Sequence, residues 1–443
     1  MKKNSSKTNK DKKAVVEEKK QQSLGAVHTH THTHGSFSLN KKIIIVTSLV
    51  LIIVLITTLA IGILNKKQKS TIVEAKKTNL NLQNNEHMHV ELDASGDKVP
   101  VPNGYIGSKV TGENEINTGY VIYEGEEEVN DTNKDEAQKS RNQYVWIPVP
   151  DISKFYGTDS NGKKWGKLYE FTSGTSSDPL FDEVTGTYPL NWSESNGIMR
   201  INSKTNFREP DVVPKSGSTV YDGDSRLKTL GLGARTTQEF LSQVESEFNR
   251  MLASVEKYGG FYIGRYETGN LSKETAVVKK GNTDINYQTW YNMYKRCKNL
   301  KGKNTNVETG IAWGNQFDRT LAWLVETGNK TKQEITDDST SWGNYYNATF
   351  EYINSSGNTA TKNKGGGIRI PTGSAEYTKA NNIYDLSGNV LDWTMEAYRT
   401  YRRVLRGGVQ YVSGTFFPAD YRCYSDVTHS DDHSGCRSAL YIK

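Results

Sequence analysis

The sequence predicts a mixed α+β domain with much irregular chain, behind a single N-terminal transmembrane helix. Three observations carry that expectation. Residues 43–64 are an uncharged apolar run of 22 residues. Farther along, two segments repeat apolar residues at three- and four-residue steps, the period of an amphipathic helix. Around them lie short β-type runs broken by Pro and Gly, such as VPVPNGYIGS and NQYVWIPVP.

Residues 1–42 come first, a Lys-rich tail with ten lysines against Asp11, Glu17 and Glu18. The whole chain of 443 residues carries +6, so the basic character belongs to this tail and the remainder is close to neutral. A nucleic-acid-binding core would need a basic face, and no nucleic-acid partner is expected. Within the tail, His28, His30, His32 and His34 alternate with Thr. Extended, they would share one side and suit a divalent transition metal; the competing reading is a solvated low-complexity segment.

The run IIIVTSLVLIIVLITTLAIGIL, Ile43 to Leu64, follows. At helical rise it spans roughly 33 Å, enough for a bilayer core. Lys41, Lys42, Lys66, Lys67 and Lys69 fence it on both sides. The membrane is therefore an expected partner through residues 43–64. Long domains translocate largely regardless of flanking charge, so the expected arrangement is single-pass, in the cell membrane, with the C-terminal domain outside the cell. Residues 65–97 are polar without apolar periodicity and read as a stalk; residues 98–443 read as the folded domain.

In that domain Asn142 to Val149 looks like a buried strand. TTQEFLSQVESEFNRMLASVEKYGG is the clearest helix, with Phe240, Val244, Phe248, Met251, Leu252 and Val255 on one face. Thr236 and Glu239 match a capping box, and Gly259 supplies the stop. GGFYIGRYETG returns to strand. A second helix is expected over GNQFDRTLAWLVETG, with Phe317, Leu321 and Leu324 inward. Residues 157–235 and 326–380 are rich in Gly, Ser, Thr and Asn and read as irregular. Cys297, Cys423 and Cys436 form no close-spaced framework, which leaves a Cys423–Cys436 bridge and unpaired buried thiols both open.

Four segments, KYGGFYIGRYETGN, IRIPTGSAEY, NNIYDLSGNVLDWTMEAY and RVLRGG, occur in this order. Together they resemble the formylglycine-generating-enzyme (sulfatase-modifying-factor) family, over about residues 99–443. The family pattern Gly-Asn-Val-x-Glu-Trp stands as Gly388-Asn389-Val390-Leu391-Asp392-Trp393, and Arg-Gly-Gly as Arg406-Gly407-Gly408. The terminal Gly-Phe-Arg departs at its middle position, as Gly435-Cys436-Arg437. The resemblance implies a C-type-lectin-like fold. The family's oxidase chemistry needs a close pair of thiols after Arg-Gly-Gly to hold copper, yet Gly408 through Arg422 contain no Cys. The expectation is accordingly not an enzyme, with a divergent redox member using Cys423 or Cys436 as the alternative. Some family members bind Ca²⁺ at the Gly-Asn segment. That implies a calcium cofactor held by the Asp392 carboxylate with carbonyls of Gly388 and Val390; the competing reading is a tight turn in which Asn389 and Asp392 bond backbone groups.

The last stretch changes alphabet. From Val409 to Cys436 there is no Lys, Glu, Met, Trp or Asn, in a chain otherwise rich in Lys, Glu and Asn. Every residue there except Gln410 can be encoded by a codon ending in a pyrimidine, the pattern that adenine-directed mutagenesis of Asn codons would leave. The chain thus resembles the variable proteins of diversity-generating retroelements; chance in a Tyr- and Ser-rich loop is the other reading. Tyr and Phe interleaved with Ser, Gly and Asp is also the composition of antibody binding loops. The expected contact residues are Val409, Tyr411, Phe416, Phe417, Asp420, Tyr424, Asp426, His429, Asp431 and His433, and the expected partner is a protein or glycan on another surface. His429 and His433, four apart with acids between, would suit Zn²⁺ only if helical.

Overall fold

The computed structural model describes residues 81–158, 162, 164–166, 237–399 and 402–443. The chain divides at residue 70, and the fold is that of the unit Ser70–Lys443. The tail, its histidines and the apolar run 43–64 lie outside the described residues, as does Thr236. Among the described residues no helix is long and apolar enough to cross a membrane.

Elements run as follows. A hairpin, β1 (Met88–Leu92) and β2 (Lys98–Pro102), precedes β3 (Tyr105–Gly107), β4 (Val121–Glu124), α1 (Lys134–Ser140) and β5 (Gln143–Pro148). A short ribbon, β6 (Tyr156–Thr158) with β7 (Lys164–Gly166), precedes the long helix α2 (Thr237–Tyr258) and β8 (Gly260–Gly264). Then come α3 (Trp290–Asn299), β9 (Val307–Ile311), α4 (Gly314–Glu326) and α5 (Lys332–Thr336). Two ribbons follow, β10 (Phe350–Ile353) with β11 (Thr359–Lys362), and β12 (Lys379–Ala380) with β13 (Ile383–Tyr384). The chain ends in β14 (Leu391–Arg399), β15 (Arg402–Arg406), β16 (Arg422–Asp426), β17 (Ser434–Cys436) and β18 (Ser438–Ile442). The class is mixed α+β.

Two sheets position the C-terminal segment. The larger has the order β3-β4-β5-β8-β18-β9, with antiparallel pairs throughout. Its last strand, β18, is clasped between β8 and β9, so the chain's end is a central element. The smaller has the order β16-β15-β14-β17, with β14 and β17 parallel. The segment 409–436 therefore starts just after β15 and ends one residue before β18. It is rooted in a sheet at both ends.

The expected helices form for the expected reasons. All six apolar residues read on α2 are buried, and Gly259 ends the helix at φ 81° while its N–H bonds the Val255 carbonyl. On α4, Phe317, Leu321 and Leu324 are fully buried. Every residue of β5 is buried.

Three readings need correction. Residues 88–97 are not stalk: β1 pairs with β2 through five residue pairs, and Met88 packs in the core. The hairpin was masked because its inward positions include a charge, Glu91. That carboxylate accepts hydrogen bonds from the Gly107 N–H (2.9 Å) and the Tyr120 hydroxyl (3.0 Å), and pairs with Lys109 (3.2 Å). Second, α3 was not anticipated. Its Thr289 hydroxyl caps the Asn292 N–H, and Trp290, Tyr291, Met293, Tyr294 and Cys297 are buried. Aromatic residues weaken helix propensity, and tertiary packing overrides that here. Third, residues 326–380 hold α5 and β10/β11 rather than only irregular chain.

Candidate binding face

The face begins at Arg406-Gly407-Gly408. Gly407 and Gly408 both take positive φ, 91° and 85°. A Cβ on Gly408 would stand 2.3 Å from the Phe417 carbonyl oxygen and 2.6 Å from the Tyr345 hydroxyl. Only glycine fits, and the pair turns the chain out of β15 into the loop 407–421.

Beneath the loop lies a buried ionic lattice. Arg406 on β15 pairs with Asp318 on α4 at 2.5 Å and with Glu396 on β14 at 3.5 Å. Arg422, the first residue of β16, pairs with the other oxygen of Asp318 and with Glu396 at 3.3 Å. All four side chains are almost fully buried. The lattice ties both strands that flank the loop to α4 and β14.

The ten expected contact residues divide. Tyr411 (44% exposed), Phe416 (50%) and His429 stand in solvent. Phe417, Tyr424, Asp426, Asp431 and His433 are half-buried. Val409 and Asp420 are not on the surface at all. Val409 is fully buried immediately after the glycine turn, and Asp420 is buried where Pro418–Arg422 returns to the core between Ala419 and Tyr421. The Asp420 charge there faces Arg422 and favours its protonated form.

Two loops meet across this face. The Tyr411 and His433 rings lie 4.1 Å apart, and the Gln410 side-chain amide reaches His433 Nδ1 at 3.4 Å. Phe417 stacks on Tyr421 at 3.8 Å. Residues 427–433 are not helical, so His429 and His433 do not share a helix face. Each instead meets a neighbouring acid: His429 with Asp431 and His433 with Asp432, both at 2.9 Å. Burial alone would raise the Asp431 carboxyl, but bonds from Ser434, the His433 N–H and His429 hold it below its ordinary value.

Sequence reasoning missed the rim. Asn286 donates to the Asp432 carbonyl (2.7 Å), as does Arg369 (2.8 Å), and the Tyr287 N–H donates to the Asp431 carbonyl (2.9 Å). Tyr287 is 59% exposed at φ 59°, a strained setting for a bulky residue, with the Arg369 guanidinium over its ring. On the other side the exposed Tyr346 donates its N–H to the Val412 carbonyl, and Gly367 lies against Tyr411. These residues stand up to 146 positions away in sequence, and nothing in their own neighbourhood marks them.

The Gly388-Asn389-Val390 turn is built from side chains. Asn389, at φ 64°, accepts from Asn344 (2.9 Å) and the Ile370 N–H (3.0 Å) and donates to Glu267 (2.7 Å). Asp392 instead pairs with Arg437 at 3.3 Å, both fully buried. Its Oδ2 thus faces a guanidinium, while its Oδ1 is buried without a hydrogen-bond partner among the described residues. Among the described residues no group of three His, Cys, Asp or Glu is arranged to hold a metal.

All three cysteines are buried and free. Cys436 lies not with Cys423 but against Cys297, sulfur to sulfur at 3.6 Å. Burial pushes the Cys423 thiol up to about 12, and the Cys436 thiol is also raised.

No family model matches the chain, and no curated protein matches it. Among solved structures it is similar to Treponema denticola variable protein 1, at 14% identity and TM-score 0.27, covering 41% of this chain and 85% of that one. It is similar to CarF at 11% identity and TM-score 0.30, covering 42% of this chain and 87% of that one. PvdO from Pseudomonas aeruginosa stands at 12% identity and TM-score 0.26, covering 42% of this chain and 82% of that one.

Proposed function

We propose that this chain is a surface-displayed binding protein, anchored through residues 43–64, with a C-type-lectin-like framework presenting its C-terminal segment to a protein or glycan ligand outside the cell. The observation that carries the reading is the meeting of the Tyr411 and His433 rings, 4.1 Å apart, across two loops of a segment in which Phe416 is exposed and Tyr424 of β16 is half-buried. Exposed aromatics among small polar residues give large contact area at low entropic cost. The framework residues Tyr287, Tyr346 and Arg369 complete the face. Diversification by a retroelement would act on the outward positions and spare the buried ones.

The thiols favour binding over catalysis. A nucleophilic or copper-holding cysteine needs a stabilised thiolate, and burial shifts Cys423 and Cys436 the opposite way.

The test uses the full chain in detergent, probed on a glycan microarray and an array of extracellular proteins. A Tyr411→Ser/Phe416→Ser/His433→Ala variant should lose at least tenfold in affinity for whatever the parent binds, with its melting midpoint held. Undiminished binding by that variant would overturn the assignment of the face. Sequencing the locus across independent isolates tests diversification: substitutions should concentrate at the outward positions of 409–436, and an even spread along the domain would sink it.

A further inference from the structure

Cys297 and Cys436 come from distant parts of the chain, 139 residues apart, yet their sulfurs touch at 3.6 Å in the core. Cys297 sits on α3 among Trp290, Met293 and Tyr294, and Cys436 ends β17 beside Trp393 of β14. A disulfide needs the sulfurs at about 2.05 Å, so the two atoms have about 1.5 Å to close. The third thiol, Cys423, lies on β16 opposite Leu405.

We propose that Cys297 and Cys436 form a disulfide in the mature protein, locking the end of the display segment to helix α3. The inference rests on the surface-display reading, because the bond needs an oxidising compartment. The oxidant is a disulfide, either of a thiol oxidase or of a small molecule. One cysteine thiolate attacks it and releases a thiol. The second cysteine, losing its proton to solvent, then attacks the mixed disulfide and releases the other thiol. Two cysteines are oxidised and one external disulfide is reduced to two thiols. Both sulfurs are fully buried in the folded chain, so the exchange occurs during folding, before α3 closes over β17.

The bond gives the segment a second anchor. At its start, Arg406 is held in the ionic lattice; at its end, Cys436 would be held covalently. The outward positions between, including the Tyr411–His433 contact, then vary without loosening either root. This connection also accounts for the departure of Gly435-Cys436-Arg437 from the aromatic expected at its centre.

Cells expressing the full chain are treated with iodoacetamide before lysis, and the isolated chain is digested without reductant for peptide mass spectrometry. The expected result is a 297–436 linked peptide, with Cys423 alkylated only after denaturation. Cys423→Ser should keep the link, and Cys297→Ser should abolish it. Reduction of the isolated chain should lower its melting midpoint by about 5–10 °C. A membrane-impermeant label on intact cells reports separately which side the domain faces. Three alkylated cysteines in a chain shown to face outward would overturn the disulfide. If the domain faces inward, the display reading fails instead. The pair is then judged by refolding the full chain in detergent with oxidised glutathione: a 297–436 link supports the pairing, and a different link or none refutes it.

Discussion

The inward and outward halves of the segment 409–436 share one alphabet and do opposite work. Val409, Ala419, Tyr421, Arg422 and Cys436 are packed as tightly as any residue in the sheets. Tyr411, Phe416 and His429 face solvent. Tyr421 and Tyr411 are the same residue type ten positions apart, one 2% and the other 44% exposed. Composition picks out the segment, and the lattice below it decides which half of it is framework. The exposed side chains rest on a base that is buried and ion-paired.

The largest effect expected on either side of that divide is at Arg422. Replacing it with Ala leaves Asp318, Glu396 and the facing Asp420 buried with Arg406 as the one cation of the lattice. The cost should be about 3–5 kcal/mol, read as a fall in the urea midpoint. Arg422→Lys should recover only part of it, since an ammonium cannot bridge two carboxylates as a guanidinium does. A change below about 1 kcal/mol would mean the lattice does not root the loop, and the division into halves would lose its basis.

The same divide explains what was legible from sequence. Helix α2 was, because it buries one stripe at helical spacing, and α4 was, because Phe317, Leu321 and Leu324 keep that spacing although every residue from Gly314 to Leu324 is buried. The exposure of Tyr411, Phe416 and His429 was, because Tyr with Ser and Asp is rare in a core. Val409 and Asp420 were not: a loop has no period, so nothing local says that residue 409 dives while residue 411 rises. The ionic lattice was equally hidden, since Asp318, Glu396 and Arg422 are 26 to 104 residues apart and meet only through tertiary structure. The partner of Cys436 was missed for the same reason.

Acid sharpens the comparison at intermediate magnitude. Glu91 shows a framework carboxylate fully committed to its partners. Burial alone would raise its pKa; bonds from His89, the Gly107 N–H and Tyr120, with the Lys109 charge, bring it down to about 2. A folded value below the unfolded one means the group stabilises the fold above pH 4.5, and that contribution fades as pH falls through about 2. Glu91→Gln should cost about 1–2 kcal/mol at pH 7 by weakening charge-assisted hydrogen bonds. The gap between variant and parent should narrow on going to pH 3. A gap that widened in acid would show that Glu91 is not ionised in the fold. His429 and His433 give the contrast: they meet acids at the surface, and exchanging Asp431 for Asn should alter melting far less than Glu91→Gln does.

The smallest expected effect is the most informative. Tyr411→Ser with Phe416→Ser removes two aromatics that stand about half in water. Surface exchanges away from caps and lattices usually fall within about 0.5 kcal/mol. The lost Tyr411–His433 ring contact adds little, because one edge of that pair is already wet. Thermal and urea midpoints of the double variant should therefore match the parent. Tyr421→Ser, the same exchange ten residues on, should unfold the domain several degrees earlier, because Tyr421 is buried and stacked on Phe417. Equal losses at the two sites would mean Tyr411 is structural. Unequal losses locate the boundary between framework and display to within ten residues, and they do so without knowledge of the ligand.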